Sequence, residues 1–415
     1  MLKNYIKIAF LVLMRRKFFT FISLFAISFT LIVLIVISAI FDHMLAPVAP
    51  EVKADRTLGV YFAEMSGPEL SLSAYPGYGL LDRSARNLPN VELMSISTGT
   101  QSVISYLRGQ KIVSLMKHTD GEYWQLLQFN FLEGGPITIE DEKNANFVTV
   151  INKNTKERFF GKENAVGKFI EADNQSFRVV GVVENVSSLR YFAYAEMWVP
   201  ISTSKNPSYR TEVSGNCIGL ILAKNASDFP SIKAEFALRM SNFQFPAELK
   251  NEYNKIICFA DTPLEKFSRE TFQSRDINPN AGRLVVIVMG LMVLFMLLPA
   301  INLININISR ILERASEIGV RKAFGASSWT LVGQFIVENL ILTLLGAILG
   351  FIGSIMVLIL INHSNFVEYA NFQINYRVFF YGVLTTIFFS LLSGVYPAWR
   401  MSKFNPIEAL RGGVR

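Results

Sequence analysis

Four stretches of this chain run without Asp, Glu, Lys or Arg for long enough to cross a lipid bilayer, and this pattern restricts the fold more than any other. Residues 18–41 give 24 such positions, 284–309 give 26, 339–367 give 29 with His363 the one ionisable group, and 378–399 give 22. A helix rises about 1.5 Å per residue against a hydrocarbon core of about 30 Å, so about 20 residues suffice. A soluble protein buries an occasional helix of this kind, but four in one chain is not a core pattern. The first stretch exceeds the about 7–15 apolar residues of a cleaved secretion signal, so it reads as an uncleaved anchor. Charged residues make up 18% of the chain, below the about 25% of soluble proteins, which speaks against one soluble globule. Two Cys and three His exclude a disulfide-dense scaffold and a multi-site zinc protein.

Charge sets the orientation. Residues 42–283 hold 26 Lys and Arg against 28 Asp and Glu, so the net charge of +7 arises elsewhere. Lys3, Lys7, Arg15, Arg16 and Lys17 precede the first span with no acid among them. Arg310, Arg314, Arg321 and Lys322 outweigh Glu313 and Glu317 between the second and third spans, and Arg400, Lys403, Arg411 and Arg415 outweigh Glu408 after the fourth. Basic loops stay on the cytoplasmic side, so both termini and the 310–328 loop face inward, while 42–283 and the loop before the fourth span face outward. The basic balance concerns topology and anionic lipid; it does not indicate nucleic acid, whose basic patch belongs on a folded domain.

The expected fold class is an α-helical membrane protein with four transmembrane helices and an α+β extracytoplasmic domain of two lobes. The organisation is a cytoplasmic amphipathic segment (1–17), spans at 18–41, 284–309, 329–361 and 378–399, an outer domain at 42–283, a cytoplasmic loop at 310–328, a short outer loop at 362–377 and a cytoplasmic tail at 400–415. In the first segment Leu2, Ile6, Ala9, Phe10 and Leu13 share one helical face, as in a helix lying in the inner interface; a simple extension of the first span is the alternative. Strand chemistry marks 57–64, 91–105, 147–151, 177–184, 195–201 and 217–223. Helices are expected at 78–88, 152–160 and 228–240, with Gly161 ending the second. Thr262, Pro263 and Glu265 form a strong helix start.

Site chemistry is sparse. Residues 161–168 (GKENAVGK) have the wrong spacing for a phosphate-binding loop, and Phe169 stands where a magnesium-holding Ser or Thr is required. His43, His118 and His363 are scattered, and no catalytic or metal constellation stands out, so neither an enzyme nor a metal site is expected. Cys217 and Cys258 lie in the outward domain, where a disulfide is permitted; two buried free thiols are the alternative. Glu338, near the inner end of the third span, suits helix packing better than proton transfer. Gly346, Gly350 and Gly353 form a small-residue face on that span, suited to close helix contact.

The 310–328 loop reads RILERASEIGVRKAFGASS. Ile311, Leu312, Ala315, Ile318 and Phe324 can share an apolar side opposite Glu313, Glu317, Arg321 and Lys322, with Glu317 and Arg321 a favourable i,i+4 pair. Gly325 suits a helix end and Ser327 or Ser328 the next cap. A short helix held between two spans suits force transmission.

ERASEIGVRKAFGAS followed by QFIVENLILTLLGAILG resembles the signature of the FtsX-like permease family, and YPAWRMSKFNPIEALR is similar to its closing motif. VINKNTKERFFGKENAVGKFI with SFRVVGVVENV, and MWVPIST, resemble the MacB-type extracytoplasmic domain. LMRRKFFTFISLFAIS is a weaker match at the first span. The resemblance covers nearly all of the chain. It implies a transmembrane subunit of an ABC transporter in the bacterial cytoplasmic (inner) membrane, with an inserted lobe at 136–204 flanked by a lobe from 42–135 and 205–275. It also implies that the 310–328 loop is a coupling helix docking on an ATPase subunit. The docking candidates are then Glu313, Glu317, Ile318, Gly319, Arg321, Lys322, Gly325 and Ala326. MacB carries its ATPase ahead of the first span, whereas here 17 residues precede it, so the ATPase is expected on a second polypeptide. No cofactor is expected on this chain, with ATP and magnesium held by that partner, and a second copy or a related permease as the other partner. The implied activity is mechanotransmission, in which ATP-driven closure moves the outer domains on lipoprotein, peptide or amphiphile cargo. Some relatives instead activate cell-wall hydrolases through the outer domain, and that regulatory role is the alternative.

Overall fold

The computed structural model describes residues 2–15, 17–107, 109–313, 328–364 and 366–402. The chain opens with helices α1 (Leu2–Arg15) and α2 (Lys17–Leu45). Then come strands β1 (Thr57–Val60), β2 (Ala63–Ser66) and β3 (Ser71–Pro76), helix α3 (Tyr78–Ala85), and strands β4 (Val91–Thr98), β5 (Gln101–Leu107) and β6 (Gln110–Thr119). Helix α4 (Tyr123–Leu126), β7 (Phe131–Gly134), α5 (Ile139–Lys143), β8 (Val148–Asn152) and α6 (Lys153–Phe160) follow. Strands β9 (Phe169–Ala172), β10 (Gln175–Val183), β11 (Met197–Pro200), β12 (Ser214–Gly215) and β13 (Cys217–Ala223) lead to α7 (Phe229–Ser241), β14 (Lys255–Cys258) and α8 (Pro263–Phe272). Three long helices complete the described chain: α9 (Ala281–Glu313), α10 (Ser328–His363) and α11 (Tyr376–Ser402).

Two compact units result, one of Met44–Gly282 with Val367–Asn371 and one of the remaining segments. In the first unit a ten-stranded sheet runs β1-β13-β4-β6-β11-β8-β10-β7, with β5 added to β6 and β9 to β10. The pairs β8/β10 and β6/β11 are parallel. A second sheet, β12-β3-β2-β14, is antiparallel. The ranges expected as two lobes therefore share one continuous sheet, joined where β11, from the inserted range, lies beside β6 and where β7, from the flanking range, lies beside β10.

Local sequence explains several elements directly. Asn152 caps α6 by accepting from the Thr155 N–H at 2.8 Å, and Gly161 closes that helix at φ 62°, a region open to glycine. Thr262 and Glu265 form a reciprocal capping box at α8. Along β10, Phe177 and Val179 are buried and Arg178 is exposed, as a half-buried strand requires. Two strand expectations were too long. Residues 57–64 divide because β1 pairs with β13 while β2 pairs with β14 and β3. Residues 91–105 divide at Gly99, whose N–H donates to the Asn216 carbonyl at 2.8 Å.

The thiols of Cys217 and Cys258 are free and buried, which corrects the disulfide considered from their outward location. One lies on β13 of the large sheet and the other on β14 of the small sheet. Burial pushes the Cys217 thiol up to about 12 and raises that of Cys258 as well, so both behave as small core hydrophobes.

In the second unit, 17–45 and 336–363 are helical, long and apolar enough to cross a membrane, and α9 and α11 carry the shorter apolar runs 281–297 and 376–392. Leu13, Ile27, Leu31, Ile35, Leu342 and Ala347 form one buried cluster. Thr343 Oγ1 donates to Ser390 Oγ at 2.7 Å, linking α10 to α11 inside the apolar region. On the opposite side of α2, Phe21, Phe25 and Phe29 stack in an exposed column with ring centroids 6.2 and 5.7 Å apart, an arrangement that suits lipid.

Candidate functional site

The sequence points to two places in the helical unit. Of the docking candidates, Glu317, Ile318, Gly319, Arg321, Lys322, Gly325 and Ala326 lie outside the described residues; Glu313 is the last residue of α9. The glycine face on α10 is described. A Cβ placed on Gly346 would stand 2.7 Å from Ile27 Cγ2, one on Gly350 2.9 Å from Leu31 Cβ, and one on Gly353 2.5 Å from Ile32 Cδ1. Each contact falls on α2, so the three glycines line a close contact between α2 and α10. Removing the side chain lets the backbones come within contact distance, and this packing must hold helices together where no water drives them.

The outer unit holds a second cluster that sequence reading did not identify. It centres on the connection 184–196 between β10 and β11. Arg190 and Glu51 are nearly fully buried. Arg190 Nη1 donates to the Ala46 carbonyl at 2.8 Å and lies 3.5 Å from Glu51 Oε2. Glu51 Oε1 accepts from the Ala193 N–H at 3.2 Å. The segment that leaves α2 is thus tied to 184–196 by a buried ion pair. Burial raises the Glu51 carboxyl, and the Arg190 charge opposes that rise.

Lys117 enters the same connection from the sheet. It is fully buried on β6 and its ammonium donates to the carbonyls of Phe192 at 2.7 Å and Tyr191 at 3.2 Å. Burial pushes its amine down to about 7, opposed by the nearby Glu51 charge. Tyr123, also fully buried, donates its hydroxyl to the Phe192 carbonyl at 2.9 Å. Asp120 orients that tyrosine: its carboxylate accepts from the N–H of Ile96 at 2.6 Å and of Tyr123 at 2.9 Å, and from the Ser95 hydroxyl at 2.7 Å. Nothing local marks Lys117, since Val113 on its face of β6 is exposed. Nor does anything local mark Arg190 or Glu51, whose partners are more than a hundred residues away in sequence.

These groups donate and accept among themselves, and an ion pair, an ammonium on carbonyls and a capped carboxylate fix the position of a loop. Burial pushes the His118 imidazole down to about 4, so it stays neutral. Among the described residues there is no group of three or more His, Cys, Asp or Glu that could hold a metal. A cleft of about 890 Å³ opens elsewhere in this unit, lined by both apolar and charged side chains including Phe236, Met240, Phe243, Ile277, Lys255 and Asp276.

Residues 20–237 match the MacB-like periplasmic core domain and residues 289–406 the FtsX-like permease C-terminal domain. The chain is 23% identical to the uncharacterized ABC transporter permease YknZ of Bacillus subtilis over 79% of this chain and 77% of that protein. It is 25% identical to the macrolide export ATP-binding/permease protein MacB of Campylobacter jejuni over 78% of this chain, and so spans 48% of that relative. The crystal structure of the extracellular domain of YknZ aligns with 49% of this chain and 99% of that domain at 16% identity and a TM-score of 0.37. With the core domain ahead of the permease domain on one chain, this protein belongs to the family of MacB-like, FtsX-like ABC transporter permeases.

Proposed function

We propose that this chain is the membrane subunit of a MacB-type transporter that converts ATP hydrolysis on a partner into movement of its outer unit. Four spans are assigned, with both termini in the cytoplasm and Met44–Gly282 outside. The observation that carries this reading is the order of parts: an outer core domain, then an apolar helix, then a charged amphipathic segment of 19 residues at 310–328, then two more apolar helices. A short charged helix between two spans passes the motion of a docked protein to both. No phosphate-binding Gly loop occurs in the 415 residues, so ATP chemistry is assigned to a polypeptide segment outside them. The scarcity of ionisable groups in the apolar windows, where His363 is the one that occurs and Glu338 lies just ahead of the third, supports transmission of force over an aqueous pathway through the spans. Cargo is assigned by family to lipoproteins, peptides or amphiphiles, and a cleft with mixed apolar and charged lining suits a molecule of that kind.

The test is purification of the chain at natural expression, followed by identification of what accompanies it. A stoichiometric ATPase is expected, together with a second copy of this chain or a related permease. Arg321→Glu with Lys322→Glu should reduce ATPase recovery while leaving the outer unit folded. Unchanged recovery would overturn the assignment of the docking helix.

A further inference from the structure

Val367–Asn371 belongs to the outer unit, although the chain on both sides of it belongs to the helical unit. Its contacts converge on the connection 184–196. The Ser188 N–H donates to the Glu368 carbonyl at 3.0 Å, and the Tyr194 hydroxyl donates to the Glu368 carboxylate. Tyr369 takes a left-handed backbone at φ 56°, a conformation that a tyrosine adopts only when its surroundings hold it there. Its hydroxyl donates to Glu196 Oε1 at 3.1 Å and accepts from Asn154 Nδ2 at 2.7 Å. Its ring lies against the buried cluster that contains Trp198 and Val150.

Glu196 is itself built into the domain. It is nearly buried, one oxygen accepts from the Leu115 N–H at 3.0 Å, and the other also accepts from Arg158 Nη2 at 3.1 Å. Tyr369 therefore plugs into a polar network resting on β6 and α6. The same connection holds the segment leaving α2 through Arg190. Two segments of the outer unit, one following α2 and one joining α10 to α11 along the chain, are thus gripped by a single stretch of 13 residues. The grip on Glu368 rests on two hydrogen bonds, one from the Ser188 N–H to its carbonyl and a partly buried one from the buried Tyr194 hydroxyl to its exposed carboxylate. A strained tyrosine held by so few hydrogen bonds can release and re-form.

We infer that Val367–Asn371 is a latch: Glu368 and Tyr369 clip this segment, which joins α10 to α11 along the chain, onto the connection 184–196 of the same unit, and that connection responds when the segment is pulled. The clip stands on the geometry alone, while its movement rests on the transmission reading proposed above.

The test uses the full chain in lipid nanodiscs, with amide hydrogen exchange read on 184–196 and on β13 as a control for folding. In Glu368→Ala/Tyr369→Phe, exchange across 184–196 should rise about tenfold, as expected for the loss of two or three modest hydrogen bonds, with β13 unchanged. Tyr369→Phe alone should give a smaller rise in the same segment. Equal exchange in wild type and double variant overturns the latch, whatever the chain transports. In the complex with its co-purified ATPase, an ATP analogue should alter exchange at 184–196 in wild type and leave the double variant unaltered. A response that persists in the double variant overturns transmission through the latch and leaves the permease reading standing. If no ATPase accompanies the chain, the permease reading fails and the first comparison alone decides the clip.

Discussion

Removing both Arg190 and Glu51 should cost no more than breaking their buried pair by removing one of them. Glu51→Ala leaves a guanidinium with the Ala46 carbonyl as its remaining close acceptor, in a site where Arg190 is 2% exposed. Orphaning one member of a buried pair costs about 3–5 kcal/mol. The 3.5 Å separation is longer than the about 2.8 Å of a strong charge-assisted bond, so the low end applies, about 3 kcal/mol. Arg190→Met leaves Glu51 beside the Lys117 charge and the Ala193 N–H, and its cost should be about 2 kcal/mol by the same reasoning. The double variant orphans neither charge, so it should cost about 2–3 kcal/mol rather than the roughly 5 expected of independent sites. Urea unfolding of the purified chain with Trp329 and Trp399 changed to Phe, followed by the emission of Trp198 in the buried cluster and Trp124 packed against it, reports on this unit. With a slope near 3 kcal/mol per molar, Glu51→Ala should lower the midpoint by about 1 M. Strict additivity of the two single changes at unchanged slope would refute the pairing, and so would a single-variant cost within about 0.5 kcal/mol of zero.

Two further expectations follow from the packing and the titration. Gly350→Ile should destabilise the helical unit by about 1–3 kcal/mol, because even its Cβ falls 2.9 Å from Leu31; Gly290→Ala, which meets open space, should be nearly silent in the same detergent unfolding assay. Lys117 has its amine pushed down to about 7 from 10.5, so above pH 7 the unfolded chain binds a proton that the folded chain does not. Stability of the outer unit should therefore rise between pH 7 and 8.5 by roughly 1 kcal/mol per pH unit, and Lys117→Met should abolish that slope; a slope unchanged by the substitution would show that another group causes it.

The elements that were legible beforehand are those whose cause is local. The capping box of Thr262 and Glu265, the Asn152 cap with Gly161 at the other end of α6, and the alternation of Phe177, Arg178 and Val179 are settled within a turn or a few residues of strand. Strand limits were less legible wherever the chain changes partner. Residues 57–64 are uniformly strand-like, yet Tyr61 and Phe62 are where the chain passes from one sheet to the other, and which strand lies alongside is not written in the eight residues themselves. Strands β3, β6, β7, β9, β12 and β14 escaped notice because their composition is mixed and their stability comes from neighbours distant in sequence.

The candidate sites divide in the same way. Sequence alone determined the apolar windows, the charge asymmetry, the amphipathic 310–328 loop and the small-residue face of Gly346, Gly350 and Gly353, since a bilayer and a helix impose periodicities that a side-chain list records. Only the tertiary structure decided that those glycines meet Ile27, Leu31 and Ile32, that Cys217 and Cys258 sit apart in separate sheets, and that Arg190, Glu51 and Lys117 are buried together. A lone charge in a sequence reads as a solvated surface group, because its desolvation and its partner are both properties of the fold. Glu368 and Tyr369 looked like two residues of a short connecting loop for the same reason: what they grip lies more than 170 residues earlier in the chain, and folding alone brings it within hydrogen-bonding distance.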